Sequence, residues 1–538
     1  MSDTPRVIGS VPEWSADERP SFSGSPALIQ HSKPKRFAYL CIGVFISITA
    51  LLNNGFIIAN LPLFQGEYGL TPSQAAWLPV SFVVASACSN LLVFKARQQF
   101  GVRAFSEVGL LILIAVLLLH LVVRTYEMAL FARFMAGVAS APLSTLGMYY
   151  IRQAFSKANG VKALYLSFGL QQLAIPLAWV ISPSLTVGNS WENIYTFELG
   201  IALCTLAMVV ALKLPSSFRQ ALFEKRDFVT FSLLVSGITC LCIMLSQGPI
   251  LWWFDSTNLA ILLIAGLALV LLGLSFEYFR DNPLLMTRWL GSKQIIIFII
   301  GAFLLRLILS EQSVAMVNFL RVMDMGPEQF VPLYAIILLG SAIGTLFSML
   351  TFKMERAVPY LILSVFLILL ACLMDYDLTH DIRPSNFYLS QFLIGFATGT
   401  FVPILLLLAV GHGLSRGPQY LITIMVIFSI TQNLGGIAGN SLFTTYQKVR
   451  TQDYIEEISL ALTPTNPLVE QRLAAYQQGT ISRDSDPQQQ VKKALLNLNN
   501  NVNREAQVRA YSDVIALNAS IALLILLWGL IRYKFIQK

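Results

Sequence analysis

Runs of about twenty apolar residues, one after another and parted by short polar loops, constrain this chain more than any other feature. A run of that length, wound as a helix at ~1.5 Å per residue, spans the roughly 30 Å hydrocarbon core of a bilayer. Fourteen such windows are legible, near 38–61, 73–94, 105–123, 128–150, 162–184, 194–212, 228–246, 258–276, 294–318, 330–350, 359–377, 387–410, 419–443 and 514–531. In lipid each backbone donor and acceptor must be satisfied within the segment or in a closed barrel, and runs this long select helices. The expected fold is therefore an all-α polytopic membrane protein. Charged residues make up only 12% of the chain, about half the share in soluble domains.

The basic residues set an orientation. Lys95, Arg97 and Arg103 fall on one side, with Arg152, Lys157 and Lys162, the group Lys213 to Arg226, Arg280, Arg288, Lys293, Lys353, Arg356, Arg416, Arg532 and Lys534. The opposite short loops carry Arg124, Arg321 and Arg383. By the positive-inside rule the first side is cytoplasmic, and both termini with it. The net charge of +8 is thus a matter of topology. No basic stripe interleaved with aromatics points to nucleic acid.

The expected organisation is a cytoplasmic tail over 1–37, read as disordered, six-helix bundles over 38–213 and 294–532, and two linker spans over 228–276. A polar external segment, 446–512, precedes the last span. Helix-start signals at Asn466-Pro467 and Asp486-Pro487 mark it as an ordered helical insertion, either a cover over the last spans or a docking surface. The six cysteines and the lone histidines (His31, His120, His380, His412) have no metal-ligand spacing, and the histidines read as interfacial. No GxxxxGK[ST] loop is present, so neither ATP nor any cofactor is expected.

Several stretches carry a resemblance by their order and spacing. They are LLNNGFIIANLP at 51–62, AAWLPVSFVVA at 75–85, FGVR at 100–103, ARFMAGVAS at 132–140, SWENIYTFELG at 190–200 and EYFRDNPLL at 277–285. Together, over about 38–532, they resemble the fourteen-span drug:proton antiporters of the major facilitator superfamily, the EmrB/QacA-like branch. The resemblance implies the major facilitator fold and proton-driven efflux of amphipathic or toxic small molecules through the inner membrane. Gly101 and Arg103 fall on its gating-loop motif. It leaves two further readings open: export of one endogenous metabolite such as a siderophore or aromatic acid, and a tripartite pump with a membrane-fusion adaptor and an outer-membrane channel. The chain departs from the pattern at Asn53, where the family has Asp, at Gly55 for Thr, Gln98 for Asp and Ala136 for Gln, and keeps only Pro176 of the span-five motif, which is associated with antiport direction.

Ionisable groups inside a membrane are functional candidates by default. Arg133 shares a face with Gly137, Ser140 and Ser144, and either lines a cavity or is tied to backbone carbonyls. Glu198 and Glu311 are candidate proton carriers, each with solvation at the external mouth as the bland alternative; Glu311 shares a face with Asn318, and Arg306 one with Ser313. Gln171, Gln391 and Asn433 head polar helix faces suited to a ligand or, where glycines are present, to close packing. Asn53 and Asn60, seven apart, are expected on one inward stripe, with Asn54 a separate packing amide. An amide does not titrate at ordinary pH, so a proton carried by this chain is not expected on the first span.

Overall fold

A computed structural model describes residues 7–8, 14–15, 18, 20, 24–122, 125–221, 223–463, 466–481 and 486–536; Arg124 lies outside them. The long helices are α1 (Lys33–Ala59), α2 (Pro72–Phe100), α3 (Val102–Val122), α4 (Tyr126–Ala154), α5 (Lys157–Leu185), α6 (Glu192–Ala211) and α7 (Lys225–Leu251). They continue as α8 (Thr257–Tyr278), α9 (Lys293–Val322), α10 (Pro327–Thr351), α11 (Met354–Met374), α12 (Pro384–Leu414), α13 (Pro418–Ala461) and α14 (Pro487–Ile536). Among the described residues thirteen of them are long and apolar enough to cross a membrane; α13, a 44-residue helix, runs over the remaining expected span.

Two apolar cores form. One joins α1, α3, α4 and α6 around Ile46, Phe56, Leu110 and Tyr150. The other joins α9 to α14 around Phe319, Ala397, Phe401 and Val514. Glycines let helices inside each core approach closely. A Cβ at Gly43 would lie 2.6 Å from Ile151, bringing α1 onto α4. On the facing sides of α10 and α12, Gly340, Gly344, Gly395 and Gly399 each abut a backbone carbonyl of the partner helix. That is the close-packing use of the glycine faces, and it gathers α12 against α10.

The cores meet along two seams. At the first, α5 packs on α10 and α12. Trp179 stacks on Tyr334 at 4.4 Å, and the Tyr165 hydroxyl donates to the Thr400 carbonyl at 2.8 Å. At the second, α2 packs on α13, with Asn90 Nδ2 donating to Ser429 Oγ at 2.9 Å. The hairpin α7–α8 lies along this second seam, where α7 touches both α2 and α13.

The tail is ordered where it is described, which corrects the expectation of disorder. Val7–Ile8 pairs antiparallel with Arg219–Gln220. Gly24 N–H donates to the Phe218 carbonyl at 2.9 Å, Ala27 N–H to that of Ser216 at 3.0 Å, and Gln153 Nε2 donates to the Ala27 carbonyl at 2.8 Å. His31 rests on Tyr39 with ring centroids 4.7 Å apart, and its partial burial holds the imidazole below its ordinary 6.5. Backbone pairing with the loop after α6 gives this proline-containing stretch the partners that its composition does not announce.

Away from the basic end, α13 continues unbroken to Ala461, a short helix spans Pro467–Ile481 and α14 starts at Pro487, so helices begin at both signalled prolines. The 44 residues of α13 and 50 of α14 amount to about 66 and 75 Å, more than twice the hydrocarbon thickness. Both helices are therefore longer than a membrane crossing requires.

Candidate functional site

Arg133 organises a buried cluster in the first core. It is 1% exposed and lies over the Phe82 ring at 4.9 Å. One terminal nitrogen donates to Asn53 Oδ1, the other to Asn54 Oδ1 at 2.9 Å, and Nε to the Leu78 carbonyl at 3.3 Å. Asn53 Nδ2 then donates to Glu198 Oε2 at 2.7 Å. Asn53 thus accepts from a cation and donates to a carboxylate at the same time. An ionised Asp accepts only, so an amide is the residue that bridges this pair. Glu198 Oε1 has no hydrogen-bond partner among the described residues, and the residue is 5% exposed. Glu198 is therefore buried and not solvated.

Three expectations for this region are corrected. Asn54 is no separate packing amide, because the forked guanidinium reaches both asparagines from one side. Asn60 is not on the inward stripe; α1 ends at Ala59 and Asn60 caps it, Nδ2 donating to the Phe56 carbonyl at 2.8 Å. His120 is not interfacial. It is fully buried, with Nδ1 at 2.9 Å from the Val116 carbonyl and its ring stacked on Tyr195 at 4.4 Å.

A second polar cluster sits in the other core. Glu311 is 2% exposed and its Oε1 has no hydrogen-bond partner among the described residues, so it too is buried and not solvated at the external mouth. Gln312 Nε2 donates to Gln391 Oε1 at 2.8 Å, and Gln391 Nε2 approaches Asp375 Oδ2 at 3.5 Å. Asp375, just past the end of α11, is 7% exposed and lies within electrostatic reach of Glu311. Asn518 on α14 donates to the Ile308 carbonyl at 3.1 Å and to Cys372 Sγ at 3.3 Å, leaving its Oδ1 without a partner. A π-turn over Gln312–Met316 follows Glu311 directly. It inserts a residue into the helical repeat, so the faces expected for Glu311 with Asn318 and Arg306 with Ser313 do not carry through.

The other candidates stand apart. Arg306 lies against Gly435 and Gly436 of α13, its Nε 3.3 Å from where a Gly436 Cβ would be, and makes no hydrogen bond or ion pair among the described residues. Asn433 Nδ2 donates to the Ser429 carbonyl of its own helix at 3.0 Å. Gln171 is half-buried with Nε2 unpartnered, just before the break in α5 at Leu173. Gly101 ends α2 at φ 83°, in a region that favours glycine, and Arg103 pairs with Glu107 at 2.9 Å on the exposed first turn of α3.

A network at the basic end was not singled out from sequence. Lys95 Nζ donates to both Asp227 oxygens at 2.7 Å, and Arg280 donates to Asp227 at 2.9 Å, to Glu277 at 2.6 Å and to Glu224 at 3.0 Å. Asp227 is fully buried and Glu277 is 1% exposed. Glu277 also accepts from the backbone N–H groups of Leu284 and Leu285. This gives EYFRDNPLL its physical reason: the acid holds the Pro-Leu-Leu turn while the arginine ties α8 to α7. The motif was the available signal; Lys95 and Asp227 have none beyond charge.

Comparison with known proteins places this geometry. A family profile described as Major Facilitator Superfamily matches residues 43–440. The chain belongs to the major facilitator superfamily. It is 24% identical over 460 residues to the multidrug export protein EmrB of Escherichia coli K12, covering 82% of this chain and 86% of that protein. It is 25% identical to the fatty acid resistance protein FarB of Neisseria gonorrhoeae over 233 residues, 42% of this chain and 45% of FarB. In fold it is similar to the human organic anion transporter MFSD10, with TM-score 0.55 at 13% identity over 92% of this chain and all of that one.

In superfamily members the two halves are repeats related by an axis along the membrane normal, and four helix pairings of the first half recur in the second. The pairs α2–α4, α3–α4, α1–α5 and α3–α6 recur eight helices later as α10–α12, α11–α12, α9–α13 and α11–α14. The two polar clusters then occupy equivalent places. Asn53, His120, Arg133 and Glu198 sit on helices one, three, four and six of the first half. Glu311, Asp375, Gln391 and Asn518 sit on, or just past, helices one, three, four and six of the second.

Proposed function

We propose that this multi-pass membrane protein is a secondary active exporter of the bacterial inner membrane. It moves amphipathic or toxic small molecules outward in exchange for protons. The observation that carries the reading is a pair of carboxylates, Glu198 and Glu311, buried inside a membrane-spanning helix bundle with one oxygen each left without a donor among the described residues. Of such carboxylates, one that lacks a fixed counter-cation takes up and releases a proton as its surroundings change. The sequence offers no nucleotide loop as another energy source, and similarity to EmrB supports drug-type substrates.

In this account the bundles over 38–213 and 294–532 rock about the seams α5–α10 and α2–α13, with the basic end and both termini cytoplasmic. Asn53, Arg133, Gln171, Arg306, Gln391 and Asn433 contribute to the substrate path, and Gly101 and Arg103 to the cytoplasmic gate. The projecting α13–α14 hairpin, with Leu460, Leu495 and Leu496 exposed, is suited to a membrane-fusion adaptor. One observation favours a second reading, export of an anionic metabolite such as an aromatic acid: the Arg306 guanidinium, unpaired among the described residues and beside two glycines, is a place for a carboxylate.

Everted membrane vesicles bearing the protein and energised by a proton gradient are expected to accumulate ethidium, and an uncoupler to abolish the accumulation. Accumulation that persists with the uncoupler contradicts proton coupling. Accumulation of benzoate and not ethidium moves the assignment to the second reading.

A further inference from the structure

The equivalence of the two clusters hides an exchange of charge. In the first half the acid, Glu198, is on the sixth helix, its amide partner Asn53 on the first, and the fourth helix supplies Arg133. In the second half the acid, Glu311, is on the first helix and the amide, Asn518, on the sixth. The fourth helix supplies the neutral Gln391, and a second acid, Asp375, follows the third helix. So Glu198 has a buried cation one amide away. Glu311 and Asp375 have none among the described residues.

From this asymmetry we infer that Glu311 and Asp375 together form the coupling-proton site, that Asp375 passes the proton inward from the external mouth, and that Glu198 is held as the fixed counter-charge of Arg133. The inference rests on the proton-coupled reading above and deepens it. Several observations point the same way. The groups of the second cluster come from four separate helical segments, and two acceptors, Glu311 Oε1 and Asn518 Oδ1, are buried there without partners. The titratable groups that face Glu311 are Asp375 and Cys372, both from the α11 side, while α12 and α14 present only Gln391 and Asn518. On its own helix Arg306 turns away toward Gly435 and Gly436 of α13. Two neighbouring carboxylates without a counter-cation do not both stay ionised in an apolar setting, so the site is stable when it holds a proton.

Asp375 is placed to act first. It caps the end of α11 and is followed directly by Tyr376, which is 56% exposed. The Gln391 amide beside it is linked to Gln312, which follows Glu311 in the chain. Protonation of Asp375 from external water, followed by transfer to Glu311 and release of that proton to the cytoplasm after rearrangement, moves one proton and no other atom.

The test reconstitutes the full chain in proteoliposomes and reads ethidium accumulation with a pH gradient divided by accumulation without one. In Glu311→Gln and Asp375→Asn this ratio is expected to fall at least tenfold, to about 1. Asp375→Glu restores it. Glu198→Gln keeps the wild-type ratio whatever its effect on rate. Monodispersity and thermal unfolding report folding, and if one variant fails to fold, the Asp375→Asn and Asp375→Glu pair still decides. A wild-type ratio in both Glu311→Gln and Asp375→Asn, or loss of the ratio in Glu198→Gln alone, overturns the inference. A ratio of 1 in the wild-type protein overturns the proton-coupled reading itself.

Discussion

Replacing Arg133 by Met is expected to abolish export and to cost about 3–5 kcal/mol of stability, the usual cost of breaking a buried charge pair from one side. The substitution keeps much of the side-chain volume and removes the charge. Asn53 and Asn54 lose their shared donor, and Glu198 is left buried with no cation nearby. The loss should depend on the partner. In Arg133→Met combined with Glu198→Gln no uncompensated charge remains, and the thermal unfolding midpoint in detergent should recover much of the difference. A double variant as unstable as the single one would mean that Arg133 acts through packing over Phe82 alone. Either outcome is read from tryptophan fluorescence on heating.

Asp227→Asn is expected to have an effect of similar size at the other end of the molecule. Asp227 is fully buried and receives Lys95 through both oxygens at 2.7 Å and Arg280 at 2.9 Å. Neutralising it takes the carboxylate from Lys95 and leaves Arg280 held by Glu277 and Glu224 alone, again about 3–5 kcal/mol. Because Lys95 belongs to α2 and Asp227 to α7, the lost contact frees the linker hairpin from the first half at the basic end. Limited proteolysis in the 213–226 loop should quicken, and Lys95→Met in the same chain should slow it again. Arg103→Gln, which breaks an exposed pair with Glu107, is expected to change stability by less than about 1 kcal/mol. Equal effects of Asp227→Asn and Arg103→Gln would contradict a buried latch.

The spans were legible because lipid solvation demands long apolar helices, and the two late helix starts because proline and its preceding polar residue mark a first turn. Close glycine packing on α12 was legible as a repeat at helical spacing. The candidate acids Glu198 and Glu311 were legible for the same reason: a charge within an apolar run stands out. What stayed hidden depends on partners distant in sequence. Asp375 lies inside the apolar window at 359–377 but close to its end, and the residues from α9 and α12 that surround it are distant in sequence. Asn54 looked separate because a helical wheel does not show that one guanidinium forks between neighbouring asparagines. Lys95 looked like an orientation charge and Asp227 was not singled out, because nothing local places them together. The π-turn after Glu311 has no composition mark, and it shifted the faces read beyond it. The tail looked disordered because its order comes from backbone bonds to the loop at 216–220.

The central claim, proton-coupled export with the exchanged proton in the second half, is tested most directly by proton release from the purified protein. Ethidium is added to the detergent-solubilised chain in weakly buffered solution near neutral pH, with a soluble indicator reporting the proton balance. Wild-type protein and Glu198→Gln are expected to release protons on binding, and Glu311→Gln none. No release from wild-type protein, or equal release from Glu311→Gln, would contradict the account.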